Sequence, residues 1–375
     1  MPQAAKRRIE VGLVLQGGGA LGAYECGAVT ALLELMDEID IPGRTVALTA
    51  VTGVSIGAVN AACIVGAKDR ADARNRLRAL WNDLALETPS YWWPNVSRDL
   101  SLFGLPGFYT PRRDFWGFGT WTHIYDTGPL LDTLKGHVDF DAINASKTAF
   151  VITTVDATSG ELRRFRNHDH GDEKRVVIQP RHVLASGSLP PGFPWTPIDG
   201  SNYWDGGLVD NTPLGDAISA FTGSSDVDRI LVVMNLFRMA RPLPRNLFEV
   251  NDRVQELRFG NRIRQDRDNA RNINSLVETV EKLAAVVPDS ARDPELEARI
   301  DYARRFKVLD AITDIDLADS DLMAEAGLKV SPDDSAGFRD FSVAGINRRR
   351  DAGYKLARLK LQGLFEGHRL LPVSH

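Results

Sequence analysis

The sequence predicts a three-layer α/β/α fold with a mostly parallel central sheet and a helical C-terminal extension, on three observations. Residues 9–66 alternate β-rich runs with helical ones, β-rich runs return at 149–155 and 229–235, and beyond Pro244 the composition turns to charged residues at helical spacing. Such alternation implies parallel strands joined by crossover helices. The chain has 375 residues, 43% hydrophobic and 25% charged, which allows one large core or two domains.

The first element, IEVGLVLQ at 9–16, is a buried strand that opens into the glycines at 17–22. Lys6, Arg7 and Arg8 ahead of it imitate the start of a secretory signal, but the glycines end the apolar run too early. A helix over 23–36, a strand over 46–53 (VALTAVTG), a sharp turn at 54–57 and a helix of small residues over 58–66 follow. No run approaches the roughly 18 apolar residues of a spanning helix, so any membrane is met from its surface. Cys26 and Cys63 lie among small apolar residues, suggesting neither a disulfide framework nor a metal cluster, and a reducing cytoplasm fits. A formal charge of −5 and a pI near 5.9 argue against nucleic acid as a partner.

Residues 88–126 form an insertion holding four of the seven tryptophans, together with Tyr91, Phe103, Phe108, Tyr109 and Tyr125. Either these rings pack a long connection onto the core, or they form a lid or acyl-chain wall, since amphipathic rings suit a boundary between water and lipid. The main unit is expected to span 9–235 and the charged extension 244–375. In the extension, residues 246–287 and 294–312 are helical, separated by Pro288 and Pro294, and present a solvated face or a dimerising one. A last helix starts near Asp340-Phe341-Ser342. Its basic residues, among them Arg348, Arg350 and Arg358, are expected to be solvated, with contact to anionic lipid as the alternative.

Gly17, Gly19 and Gly22 satisfy the dinucleotide-binding pattern, but the next strand ends in Thr52-Gly53 and supplies no acid for a ribose. That strand instead delivers Gly53-Val54-Ser55-Ile56-Gly57, the spacing of a nucleophile on a strained strand-to-helix turn. Gly53 and Gly57 remove bulk beside Ser55, and the helix N-terminus, with the N–H of Ile56, favours a developing negative charge. A histidine base would have to follow an acid downstream. Five of the seven histidines precede Asp205, and His368 and His375 lie at the C-terminus, so no imidazole partner is evident. Asp205, followed by Gly206 and Gly207, is a carboxylate on a tight turn.

The three motifs, in this order, resemble the patatin-like phospholipase family, in a bacterial subgroup with a C-terminal helical extension. The segment Ala185-Ser186 through Phe193-Pro194 is also similar to that family, and the likeness covers roughly 9–235. The resemblance implies a Ser55 nucleophile, Asp205 as its base without a histidine, and an oxyanion hole from the N–H groups of Gly17, Gly18 and Gly19. It implies a lipid or fatty-acyl ester substrate and no metal or organic cofactor. Leu21 stands where many relatives carry Arg or Lys, leaving one fewer cation near the loop. A general carboxylesterase, a thioesterase and a non-catalytic scaffold remain alternatives. Peripheral membrane contact and a homo-oligomer through the C-terminal helices are compatible with the charged segments.

Overall fold

Strands buried on both faces need apolar residues at every position, and the run at 11–15 meets that need in β1 (Arg7–Leu15). After a 3-10 turn at Gly19–Leu21 come α1 (Gly22–Ile39), β2 (Arg44–Gly53), α2 (Ile56–Val65) and α3 (Arg70–Asp83). The insertion contributes a short antiparallel pair, β3 (Thr110–Pro111) and β4 (Tyr125–Asp126). Then follow α4 (Gly128–His137), α5 (Phe140–Ala145), β5 (Ala149–Asp156), β6 (Leu162–Arg166), α6 (Pro180–Ser186), β7 (Thr196–Ile198), β8 (Ser201–Asp205), α7 (Leu214–Ser219) and β9 (Val227–Asn235). The last elements are α8 (Leu247–Gly260), α9 (Ile263–Val286), α10 (Pro294–Arg304), β10 (Thr313–Asp316) and α11 (Val343–Gly367). This is a computed structural model, and it describes residues 7–87, 101–222, 224, 227–237, 243–245, 247–260, 263–288, 293–304, 306, 313–316 and 338–367. Tyr91, Trp92, Trp93, His368 and His375 lie outside the described residues.

The eight-stranded sheet runs β10-β9-β1-β2-β5-β8-β7, with β6 also paired to β5. Strands β10, β9, β1, β2 and β5 are parallel, whereas β6, β8 and β7 run against their neighbours. Alternation along the strands divides the core. Leu13, Leu15, Ile230, Val232 and Met234 face the larger apolar cluster with α1, α2, α3 and α11, while Val14, Leu231 and Val233 face a smaller one with α7 and Phe221. The sandwich is the α/β/α architecture expected.

Helix α11 keeps Arg348 in solvent, as expected of its basic residues, but buries its apolar ones. It lies along α1 with Ile346, Leu356, Leu361 and Phe365 buried. Its Tyr354 hydroxyl donates to Glu34 at 2.7 Å, and Arg358 pairs with Glu38 at 2.6 Å. Close approach is possible because a Cβ on Gly27 would overlap the Arg350 carbonyl, and one on Gly353 the Tyr24 carbonyl. The Ser342 hydroxyl caps the helix by accepting from the Gly345 N–H at 3.0 Å.

Part of the insertion packs on the core, as one of the two expectations has it. Phe108, Tyr109 and Tyr125 stack around Phe193, whose neighbours Pro191 and Gly192 accept from the Ile124 and Tyr125 amides. Trp116 and Phe118 stand in solvent, 91% and 71% exposed. Apolar residues are also exposed along α8 (Leu247, Val250, Val254, Leu257) and α9 (Leu276, Val280, Leu283).

Candidate active site

Two strand ends meet at the site. Strand β5 pairs with β2 and β6 together at Val151 and Ile152, and with β6 and β8 together at Thr154 and Val155. A strand has two edges, so β2 and β8 share the one opposite β6. Gly53 pairs with Ile152 and Asp205 with Thr154, and the strands run in opposite directions. Their C-terminal ends therefore face one another across Thr153.

At the end of β2 the chain turns abruptly. Ser55 has φ 54° and ψ −125°, a region that costs a non-glycine residue about 1–3 kcal/mol. From Val51 to Gly66 every residue is buried except Ser55, which is partly exposed. The turn is tight on all sides. A Cβ on Gly53 would stand 2.5 Å from the Gly57 carbonyl oxygen, and one on Gly57 2.7 Å from that of Gln16. Gly22 faces Ile56 and Trp81.

Asp205 ends β8 and is 2% exposed. Its Oδ1 accepts from the Gly207 N–H at 2.8 Å, closing a turn that needs Gly206, because a Cβ there would overlap the Thr153 carbonyl. Burial pushes the carboxyl up to about 7, against the smaller opposing pull of hydrogen bonding from the Ser55 side chain and the Gly207 amide. A carboxylate at its ordinary pKa is a weak base for a serine hydroxyl, and burial of this kind raises its basicity. Among the described residues no histidine hydrogen-bonds Ser55 or Asp205. His182 instead caps α6, accepting from the Gln179 N–H at 2.9 Å, and His137 pairs with Asp83 at 2.7 Å.

The glycine loop leaves β1 beside the elbow, where the Val54 N–H donates to the Leu15 carbonyl at 3.2 Å. A family model for patatin-like phospholipase matches residues 13–218, more than half of the chain, and spans the loop, Ser55 and Asp205. The chain belongs to the patatin-like phospholipase family. No curated protein matches it significantly. Among solved structures it is similar to VipD from Legionella pneumophila (14% identity, TM-score 0.40, covering 96% of this chain and 67% of that one). It is also similar to human GIVD cytosolic phospholipase A2 (11% identity, TM-score 0.46, covering 98% of this chain and 60% of that one).

Within this patatin-like site one of the expected oxyanion donors already has a partner. The N–H of Gly17, assigned to the oxyanion hole by resemblance, donates to Asn211 Oδ1 at 3.0 Å, and Asn211 Nδ2 returns a bond to the Gly17 carbonyl at 3.2 Å. An oxyanion would have to displace Asn211 to receive this amide. Gly18, Gly19 and Ile56 carry amides with no acceptor among the described residues, and Gly18 and Gly19, which follow the Gly17 that touches the Ser55 side chain, are partly exposed. Gly19 has φ +56°, the left-handed conformation glycine allows.

Sequence reasoning named no role for the side chains that fix these pieces. Gln16 donates to the Thr212 hydroxyl at 2.7 Å and accepts from the Leu236 N–H at 3.0 Å, tying the loop to the segment after Asp205. Buried Asn60 on α2 donates to the Gly22 carbonyl (3.0 Å) and to Glu25 (2.9 Å), and accepts from Trp81 Nε1 (2.9 Å). Burial holds the Glu25 carboxyl well above its usual pKa. The cysteines are buried and unpaired, and burial pushes both thiols up to about 12, far from nucleophilic. Leu21 is also buried, 7% exposed. Among the described residues no three His, Cys, Asp or Glu side chains converge, and no helix is long and apolar enough to cross a membrane.

Proposed function

We propose that the protein hydrolyses carboxylic esters of lipids through a Ser55–Asp205 dyad and an acyl-enzyme. The observation that carries this reading is the buried Asp205 carboxyl at the end of β8, where the strand ends meet and the Ser55 side chain, on the one partly exposed residue of the elbow, hydrogen-bonds it. Asp205 accepts the Ser55 proton as Oγ attacks the ester carbonyl, and the amides of Gly18, Gly19 and Ile56 receive the oxyanion. Collapse of the tetrahedral species breaks the bond to the alcohol, which leaves with the proton held by Asp205. Water then repeats the sequence on the acyl-enzyme, losing its proton to Asp205 and returning Ser55 as the free hydroxyl. Each missing oxyanion donor would raise the barrier by about 3 kcal/mol.

A lipid substrate is supported by family membership and by the exposed rings of Trp116 and Phe118, on an insertion tethered to Pro191 and Gly192. These rings enter the lipid surface in this reading, and the apolar stripe of α9 serves self-association. The catalytic unit remains assigned to 9–235, with 244–375 as its extension. Ser55→Ala should abolish hydrolysis of a short p-nitrophenyl ester with the fold retained, and a fluorophosphonate should label Ser55 alone. Turnover by Ser55→Ala, or labelling at another residue, removes Ser55 from the mechanism.

A further inference from the structure

The strained turn at Ser55 creates a problem that one side chain solves. With φ at 54° the Ser55 amide lies outside the hydrogen-bond ladder of β2 and precedes that of α2. A buried amide without an acceptor costs about 1–3 kcal/mol. Its acceptor is the hydroxyl of Ser186, the last residue of α6, at 2.9 Å. That hydroxyl has a single proton, which it donates to the Thr153 carbonyl at 2.7 Å, so its lone pairs are turned toward Ser55. Ser186 has no solvent exposure, and water does not compete for either bond.

Two residues later the chain holds the other half of the pair. The Ser188 carbonyl accepts the Asp205 N–H at 3.0 Å. The Ser188 hydroxyl is itself fixed, donating to the Leu184 carbonyl at 3.0 Å and meeting Thr196 Oγ1 at 2.9 Å. One buried tripeptide thus grips the backbone of both residues, and Thr153, on β5 between the partners of Gly53 and Asp205, is the anchor for its first member.

We propose that Ser186 is a positioning residue for the nucleophile, its hydroxyl holding the Ser55 amide so that the Ser55 side chain stays against Asp205. The inference rests on the dyad reading. Without the hydroxyl, the Ser55 peptide rotates toward another acceptor, and Oγ moves off the carboxyl. A misplacement on the order of 1 Å costs a reacting group about 100-fold in rate. Loss of the Ser55 bond also removes an influence that lowers the Asp205 pKa, so the acid limb of the pH–rate profile moves to higher pH.

The experiment compares full-length Ser186→Ala, Ser186→Thr and Ser186→Cys with the parent on a soluble p-nitrophenyl ester. Active sites are counted by exhaustive fluorophosphonate labelling, so unfolded protein does not enter the rate. Expected for Ser186→Ala are a kcat per site lower by about 100-fold, little change in KM and an acid limb displaced upward. Ser186→Thr, which keeps the hydroxyl, should recover most of the rate, and the weakly bonding thiol of Ser186→Cys should not. A normal kcat per site, or a lowered kcat with an unmoved acid limb, overturns the proposal. If Ser186→Ala does not fold, the Thr and Cys variants decide alone, and equal rates overturn it. Full activity in Asp205→Asn would instead sink the dyad reading, whatever Ser186 does.

Discussion

Replacing Asp205 by asparagine should remove activity and raise stability, because the burial that makes the carboxyl a base also works against the fold. Asparagine keeps the shape and an oxygen for the Gly207 N–H. Burial lifts this carboxyl from 3.8 to about 7. Below pH 3.8 the folded and unfolded chains both hold the proton, and nothing is lost. As pH rises from there, the unfolded chain releases its proton first, so the native state weakens until its own carboxyl ionises near 7. The gap of about 3 pH units corresponds to at most about 4 kcal/mol, fully expressed above neutrality. At about 2.1 cal/mol/K per residue, that is a Tm difference of roughly 5 °C for a chain this long. Thermal melts of both proteins at pH 4.5 and pH 8 should therefore nearly coincide at the lower pH and separate at the higher, with the variant melting later. Ester hydrolysis should fall by about 10²–10⁴-fold. A Tm gap that does not widen between the two pH values refutes the burial argument, and retained turnover refutes the proposed role.

Gly17→Ala places a methyl 2.8 Å from both Ser55 Cβ and Asn211 Oδ1. It should lower kcat on a soluble ester by about 100-fold without loss of fold, as read by steady-state kinetics and circular dichroism. Gly353→Val would drive α11 off α1 at the Tyr24 carbonyl, and urea denaturation should report a loss of about 1–3 kcal/mol or more. Trp116→Ala with Phe118→Ala should reduce hydrolysis of lipid vesicles and co-sedimentation with them, while leaving a soluble ester untouched. Equal losses on both substrates would count against an interfacial role. Leu276→Glu with Leu283→Glu should shift the sedimentation coefficient toward the monomer if α9 mediates self-association, and an unchanged boundary removes that surface.

Much of the fold was legible because its signals are local. The apolar run at 11–15, the small residues after Ser55 and the return of β-rich runs at 149–155 and 229–235 each mark an element within a few residues of chain. The short strands β6, β7 and β8, of three to five residues, have too little length to establish a period, and the sequence did not announce them. Nor did it show that α11 packs on α1. The determinant there is the pairing of Gly27 with Gly353, and a glycine that permits an approach looks like any other until its distant partner is known. The same limit hid the partner of Gly17. Its three-glycine run is visible, but the competing acceptor is Asn211, nearly two hundred residues away and in sequence only part of a turn.

The direction of β8 is what brings a short carboxylate to Ser55. Strands β2 and β8 occupy one edge of β5, so they stand end to end rather than side by side. Were β8 parallel to β2, its first residue, Ser201, would face the elbow, and Asp205 would sit about 14 Å further along at 3.4 Å per residue. Running antiparallel, β8 presents its last residue, and the registers at Ile152 and Thr154 put the two strand ends about 7 Å apart along β5. At such a junction both chains must leave the sheet at once, since neither has room to continue. One leaves through the strained backbone of Ser55, the other through Gly206, which alone clears the Thr153 carbonyl. The same crowding keeps Asp205 from water. Geometry and basicity thus have a single origin, because two strands that end against each other enclose the carboxyl to which the proposed mechanism gives the proton.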